Sequence, residues 1–225
     1  MTYGVKLHVW GERACFTRPE MKAERVSYDV ITPSAARGVL EAIHWKPAIR
    51  WVVDEIRPLR PVRFQSIRRN EVGSVIPPKN VKAAMRSGMV HELFTRADHD
   101  RQQRAATLLV DVGYVIAAHF EMTDKAGPDD SPVKHHEMFI RRAAKGQCFQ
   151  QPYLGCREFP ADFALIADGD PAPEAALPDD WRNRDLGWML LDIDHADGMA
   201  AKFFRAQLED GAVRPPRMTD AGVRS

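Results

Sequence analysis

One run of residues limits the folds open to this chain. From Ala105 to Phe120 it reads AATLLVDVGYVIAAHF, apolar with few interruptions. That pattern predicts a strand buried on one or both faces. Around it, other segments carry their own periods. Val5, Leu7 and Val9 alternate on one face of VKLHVW and predict a strand that Gly11 ends. Thr32 followed by Pro33 marks a helix start, and Ala36, Val39, Leu40 and Ile43 follow at helical spacing until Pro47 stops the helix near His44–Lys46. Ile49 to Ile56, rich in β-branched residues, predicts a strand that Pro58 and Pro61 bend or confine to an edge, with Val62 to Ile67 as the next strand.

The remainder divides similarly. Glu71 to Asn80 and Thr123 to Pro132 are loops by their Gly and Pro content, and Val81 to Met89 is a short helix. Lys134 to Lys145 is a helix with Met138, Ile140, Ala143 and Ala144 on its apolar side and Gly146 as its C-cap. Cys148 to Phe159 is a turn running into a strand, with Gly155 at a position that needs positive φ. Phe163 to Ala167 is another strand. Asp168 to Asp180 is a Pro- and Asp-rich connection, Leu186 to Ile193 a strand, and Ala200 to Gln207 a short helix or irregular connection before a polar tail. The order is that of an α+β, ferredoxin-like (RRM-like) βαββαβ domain with a C-terminal antiparallel β-sheet extension. The expected division is 1–168 for that domain and 169–225 for the small extension and tail.

Composition excludes several classes. A hydrophobic share of 44% and a charged share of 28% suit a globular core. No apolar stretch is long enough to span a membrane, and the N-terminus lacks a secretory pattern. Three widely spaced cysteines, Cys15, Cys148 and Cys156, fit a reducing cytoplasm rather than a disulfide framework or zinc site. The net charge of +1 conceals an asymmetry: Lys46 to Arg104 holds 13 Lys/Arg against 6 Asp/Glu, whereas Ala161 to Gly211 holds 4 against 12. The first region suits a polyanion, or is an unevenly charged solvated surface.

Two blocks carry a resemblance. YDVITPSAARGVLEAIHWKPAIRW, from Tyr28 to Trp51, with RPVRFQSIRRNEV from Arg60 to Val72, is similar to one signature of the subtype I-C Cas-five family of RAMP proteins. VKHHEMFIRRAAKGQCFQQPYLGCREF, from Val133 to Phe159, resembles the family's second block. The resemblance implies an endoribonuclease that binds the hairpin of a CRISPR repeat in precursor RNA and cuts it without metal or cofactor by 2′-hydroxyl attack. It then stays on the 5′ handle among the other subunits of a surveillance complex, with DNA as a further contact left open. The family's catalytic trio is a tyrosine before WKP, a lysine, and the histidine after that lysine. Lys134 and His135 match the last two, and His44 stands in the tyrosine's place.

The chemistry such a cut requires suits these residue types. A base takes the 2′-hydroxyl proton, a cation stabilises the phosphorane, and an acid protonates the leaving 5′-oxygen. Histidine serves as base or acid near neutral pH, and lysine is a compact charge. The plainer alternatives are that His44 merely caps a helix and that Lys134 and His135 form an ordinary solvated first turn. Arg60, Arg63, Arg68, Arg69 and Lys46 are expected RNA contacts, with a salt-bridged surface as the alternative for the arginines. Trp45 and Trp51 are expected in the core, and Cys156 is expected to be a small buried hydrophobe. Two alternatives to the nuclease are a non-catalytic subunit that only holds RNA and a metal-dependent DNA nuclease using Asp111, Glu121 or Glu137; no spacing favours the latter.

Overall fold

The computed structural model describes residues 3–90 and 93–225. Its strands are β1 (Gly4–Ala14), β2 (Arg25–Val26), β3 (Ile49–Pro58), β4 (Phe64–Val72), β5 (Arg101–Met122), β6 (Asp162–Ile166), β7 (Arg184–Asp194) and β8 (Ala200–Leu208). The helices are α1 (Pro33–Ile43), α2 (Pro78–Ser87) and α3 (Pro132–Ala144).

The apolar run is the inner part of β5, a strand of 22 residues that organises the main sheet. Its C-terminal half lies between β1 and β3, antiparallel to both. β6 adds to the other edge of β1, so the strands run β6-β1-β5-β3. The N-terminal half of β5 pairs instead with β4, and briefly with β2. The partner changes at Asp111, where φ is +52°. Pairing with β4 ends at Leu109 and pairing with β3 begins at Tyr114. The β4–β5 ribbon and α2 are largely exposed, so only the core half of β5 needs apolar residues.

α1 and α3 pack on one core. Thr32 Oγ1 accepts from Ala35 N at 3.3 Å and Ser131 Oγ from Lys134 N at 3.3 Å, each just before a helix-opening proline. Ala36, Val39, Leu40 and Ile43 of α1 and Phe139 and Ala143 of α3 share one buried cluster with the sheet. β7 and β8 form a separate hairpin whose Leu186, Met189, Phe204 and Leu208 join that cluster. Tyr28 and Arg37 fix the hairpin: Leu190 N donates to Tyr28 Oη at 3.2 Å, and Arg37 pairs with Asp192 at 2.8 Å.

Several elements depart from the sequence reading. β1 does not stop at Gly11; it continues to Ala14. Gly11 is there because a Cβ would meet Leu154 Cδ1 at 2.5 Å. The segment 148–159 is a chain of turns with an isolated bridge, Tyr153 to Pro160, and contains no strand. Ala200–Leu208, read as a helix or irregular connection, is the strand β8. Trp45 is 52% exposed, although Trp51 is buried as expected. Among the described residues no helix is long and apolar enough to cross a membrane.

Candidate active site

The end of α1 is built by donors from elsewhere in the chain. His44 is the C-cap, with extended backbone, and its N–H donates to Leu40 O at 3.0 Å. The carbonyls left over find tertiary partners. Ala42 O accepts from Phe149 N at 2.8 Å, Ile43 O from Arg142 Nη1 at 2.8 Å, and His44 O from Trp51 Nε1 at 2.9 Å. Arg142 lies on α3, so this network ties the close of α1 to the later helix. His44 therefore caps through its backbone, and its ring is free for another use.

That ring meets the start of α3. His44 Nε2 lies 3.1 Å from His135 Nδ1, across 91 positions of sequence. The ring centroids are 5.3 Å apart and nearly stacked. His135 Nε2 is 3.1 Å from Asp130 Oδ1, and Phe120 approaches His135 edge-on at 6.3 Å. Lys134 points its Nζ to Asp129 O at 3.0 Å and lies 3.9 Å from the Asp130 carboxylate. The two imidazoles singled out from the sequence thus meet, and the Lys134 ammonium is joined to them through the shared Asp130 carboxylate. Their exposure differs sharply: Lys134 is half exposed, whereas His44 and His135 are 0% and 1% exposed. A solvated first turn describes Lys134 and not His135.

Burial controls protonation here. The His44 pKa is lowered to about 4, first by desolvation and then by the positive fields of His135, Arg142 and Lys46. His44 is neutral at pH 7. Asp130 is held below the usual carboxylate range, first by the Gly127 N–H and then by His135 and Lys134. An ionised Asp130 only accepts, so Nε2 of His135 carries a hydrogen. With His135 neutral, its Nδ1 is an acceptor and His44 Nε2–H donates to it. That leaves His44 Nδ1 as a bare acceptor, and this atom is buried without a partner.

A stability prediction follows from the sign of the His44 shift. The unfolded chain takes up this proton near pH 6.5 and the folded chain only near 4. The contribution is intact above about pH 6.5 and is lost as pH falls towards 4, by about 3 kcal/mol in all. Urea titrations of wild type and His44→Gln from pH 7.5 to 4 are expected to show the wild type losing more stability by that amount. Parallel curves would mean that the ring takes up a proton in the fold at no cost.

The other residues named from the sequence lie apart from this cluster or at its rim. Lys46 is exposed two positions beyond His44. Arg60 and Arg63 both pair with Asp111 at the bend of β5, Arg60 at 3.4 Å. Arg69 is mostly buried and pairs with Glu71 at 2.7 Å and with Glu158. Arg68 is exposed and has no ion pair among the described residues. Asp111 and Glu121 each face two arginines, and Glu137 is exposed on α3. His136 turns away from His135 and packs on Tyr3 at 5.5 Å. Cys156 is half-buried, 3.4 Å from Arg25 Nη1, and its pKa is lowered by its contact with Cys15 and by that guanidinium. It packs on the core as a partly buried side chain. Sequence reasoning missed Asp130, whose only signal was an acidic residue just before the Ser131–Pro132 helix start.

Comparison with known proteins places these features in context. A family model described as CRISPR-associated protein (Cas_Cas5), the Cas5d model, matches residues 4–216. The chain is 61% identical over 216 residues to the CRISPR pre-crRNA endoribonuclease Cas5d of Mannheimia succiniciproducens, covering 96% of each. It is 44% identical over 189 residues to the protein of the same name from Thermus thermophilus, covering 84% of this chain and 72% of that one. A crystal structure described as a CRISPR-associated protein superposes with a TM-score of 0.71 at 21% identity, over 99% of this chain and 96% of that one, a likeness of fold.

Proposed function

The chain belongs to the Cas5d family of CRISPR-associated proteins, and on that premise we propose that it is a pre-crRNA endoribonuclease whose cut is made at His44, His135 and Lys134 without a metal. The observation that carries this reading is the 3.1 Å contact between His44 and His135, with the Lys134 ammonium 3.9 Å from the Asp130 carboxylate that His135 also meets. Two imidazoles in series suit a reaction that begins and ends with a proton transfer. The bare Nδ1 of neutral His44 takes the 2′-hydroxyl proton while Nε2–H passes its own to His135 Nδ1. The resulting imidazolium of His135 faces Asp130. The 2′-oxygen attacks the neighbouring phosphorus, Lys134 stabilises the phosphorane, and the 5′-oxygen departs with the proton that the His135 imidazolium returns through His44, which leaves both rings neutral again. The products are a 2′,3′-cyclic phosphate and a 5′-hydroxyl.

Both imidazoles are closed to solvent in the free chain, so RNA reaches Nδ1 only when the turn after α1 or the start of α3 shifts. The same burial favours a second reading, in which the pair is a polar pin between two helices and the protein holds RNA while another enzyme cuts. The strand order β6-β1-β5-β3 with two helices on one core supports a ferredoxin-like assignment for 1–168, with the β7–β8 hairpin as the extension within 169–225. Exposed Arg68 and Lys46, with Arg60 and Arg63, are the side chains we assign to the RNA backbone. The other subunits of a subtype I-C complex are the expected partners in the cytoplasm. Arg69 already meets Glu71 and Glu158, and Arg60 and Arg63 share Asp111, so an RNA phosphate competes with carboxylates for all three.

The test uses purified protein and its own repeat hairpin in EDTA. Full-rate cleavage is expected, and a single 2′-deoxy at the scissile nucleotide is expected to abolish it. Cleavage of the deoxy substrate removes the proposed nucleophile. Tight binding with no cutting from pH 5 to 9 selects the second reading.

A further inference from the structure

We propose that Asp130 is the positioning residue of this site: its carboxylate fixes His135 in the Nε2–H form, so that Nδ1 of His135 is an acceptor aimed at His44. The inference rests on the catalytic reading above and adds to it a residue from the loop before α3. The geometry is a linear series. Asp130 Oδ1 lies 3.1 Å from His135 Nε2, and His135 Nδ1 lies 3.1 Å from His44 Nε2. Each imidazole has one ring hydrogen when neutral, so choosing the first bond sets the second. With the carboxylate in place, His135 donates outward and accepts inward, and His44 must turn its own hydrogen towards His135. The consequence is the bare Nδ1 on His44, the one buried atom of the pair that lacks a partner.

The carboxylate is itself held. Gly127 N donates to Asp130 Oδ2 at 3.0 Å, leaving Oδ1 to His135. Asp130 N donates to Gly127 O at 3.0 Å, so the 127–130 turn is closed from both sides. Ser131 caps α3 immediately afterwards, which fixes the spacing between the carboxylate and the ring five positions on. Lys134 Nζ is 3.9 Å from the same carboxylate and keeps it ionised. An ionised group opposite His135 also stabilises the charge that arrives when His44 passes its proton on.

Asp130→Asn keeps the shape and removes the charge. The amide turns its NH₂ towards the ring once its oxygen is held by Gly127 N–H. His135 Nε2 then becomes the acceptor, and its hydrogen moves to Nδ1. Two measurements are expected to respond. In the imidazole region of a long-range ¹H–¹⁵N spectrum, the His135 hydrogen moves from Nε2 in wild type to Nδ1 in the variant. The single-turnover cleavage rate falls by about 10- to 1,000-fold, as misdirected tautomers cost elsewhere, while the Kd for repeat RNA stays within about threefold. Asp130→Glu, which restores a carboxylate, recovers part of the rate.

A wild-type spectrum with the His135 hydrogen on Nδ1 overturns the proposal, and needs neither RNA nor a variant that folds. Cleavage by Asp130→Asn within threefold of wild type overturns it as well. Failure of the catalytic reading looks different: His44→Ala and His135→Ala then cut normally, whatever the spectrum shows.

Discussion

Replacing His135 by alanine slows cleavage of the cognate repeat hairpin by roughly 10²–10⁴-fold, with equal loss in EDTA and in magnesium. His44→Ala is expected to fall in the same range, because in the proposed relay removing either ring interrupts the transfer. Lys134→Ala loses less in binding than in rate, since its charge serves the phosphorane more than the ground state. His136→Ala is the internal control: its ring lies against Tyr3 and away from the pair, and its rate stays within about threefold of wild type, the scatter expected without a transition-state role. Truncating a buried imidazole also leaves its partner unsatisfied, at about 1–3 kcal/mol. The comparison is therefore made well below each variant's melting point, with RNA affinity measured alongside. A folded His135→Ala protein that binds and cuts at the wild-type rate refutes the relay.

The residue types of the candidate site were legible in the sequence, and their surroundings were not. Thr32–Pro33 and the spacing from Ala36 to Ile43 place His44 at a helix end, which the structure bears out. Nothing local says that its ring is fully buried, because the ring lies against His135 of α3, 91 positions along the chain. The sequence does not single out Asp130, because Asp124, Asp129 and Asp130 crowd one loop and only the turn geometry separates them. Arg69 belongs to a basic run in the sequence, where its partner Glu158, 89 positions away, leaves no mark. β8 was misread for a different reason. Adjacent Phe203 and Phe204 blur the alternation, and a period of two emerges only over Phe204, Ala206 and Leu208. By contrast the positive φ expected at Gly155 is present, at +83°.

Gly155→Ala is expected to destabilise the fold by about 3–5 kcal/mol, the sum of left-handed backbone strain and overpacking. A Cβ there would lie 2.1 Å from Cys15 O, 2.6 Å from Cys15 C and 3.1 Å from Phe16 Cδ1. The obstacle is backbone, and it is pinned. Cys15 N donates to Leu154 O at 3.0 Å, and Leu154 N donates to Phe159 O at 2.8 Å, with the Leu154 side chain fully buried. Neither strand end nor turn can retreat without giving up those bonds. Gly146→Ala separates the two contributions. Its φ is +62° and nothing lies within 4 Å of the added Cβ, so it carries backbone strain alone, about 1 kcal/mol. Urea midpoints at constant m-value read the difference, and in a chain of this size the larger loss corresponds to a fall in Tm of about 6–20 °C. If the two variants melt together, the close approach at Cys15 relaxes freely, and the turn after β1 is not the rigid support this packing implies.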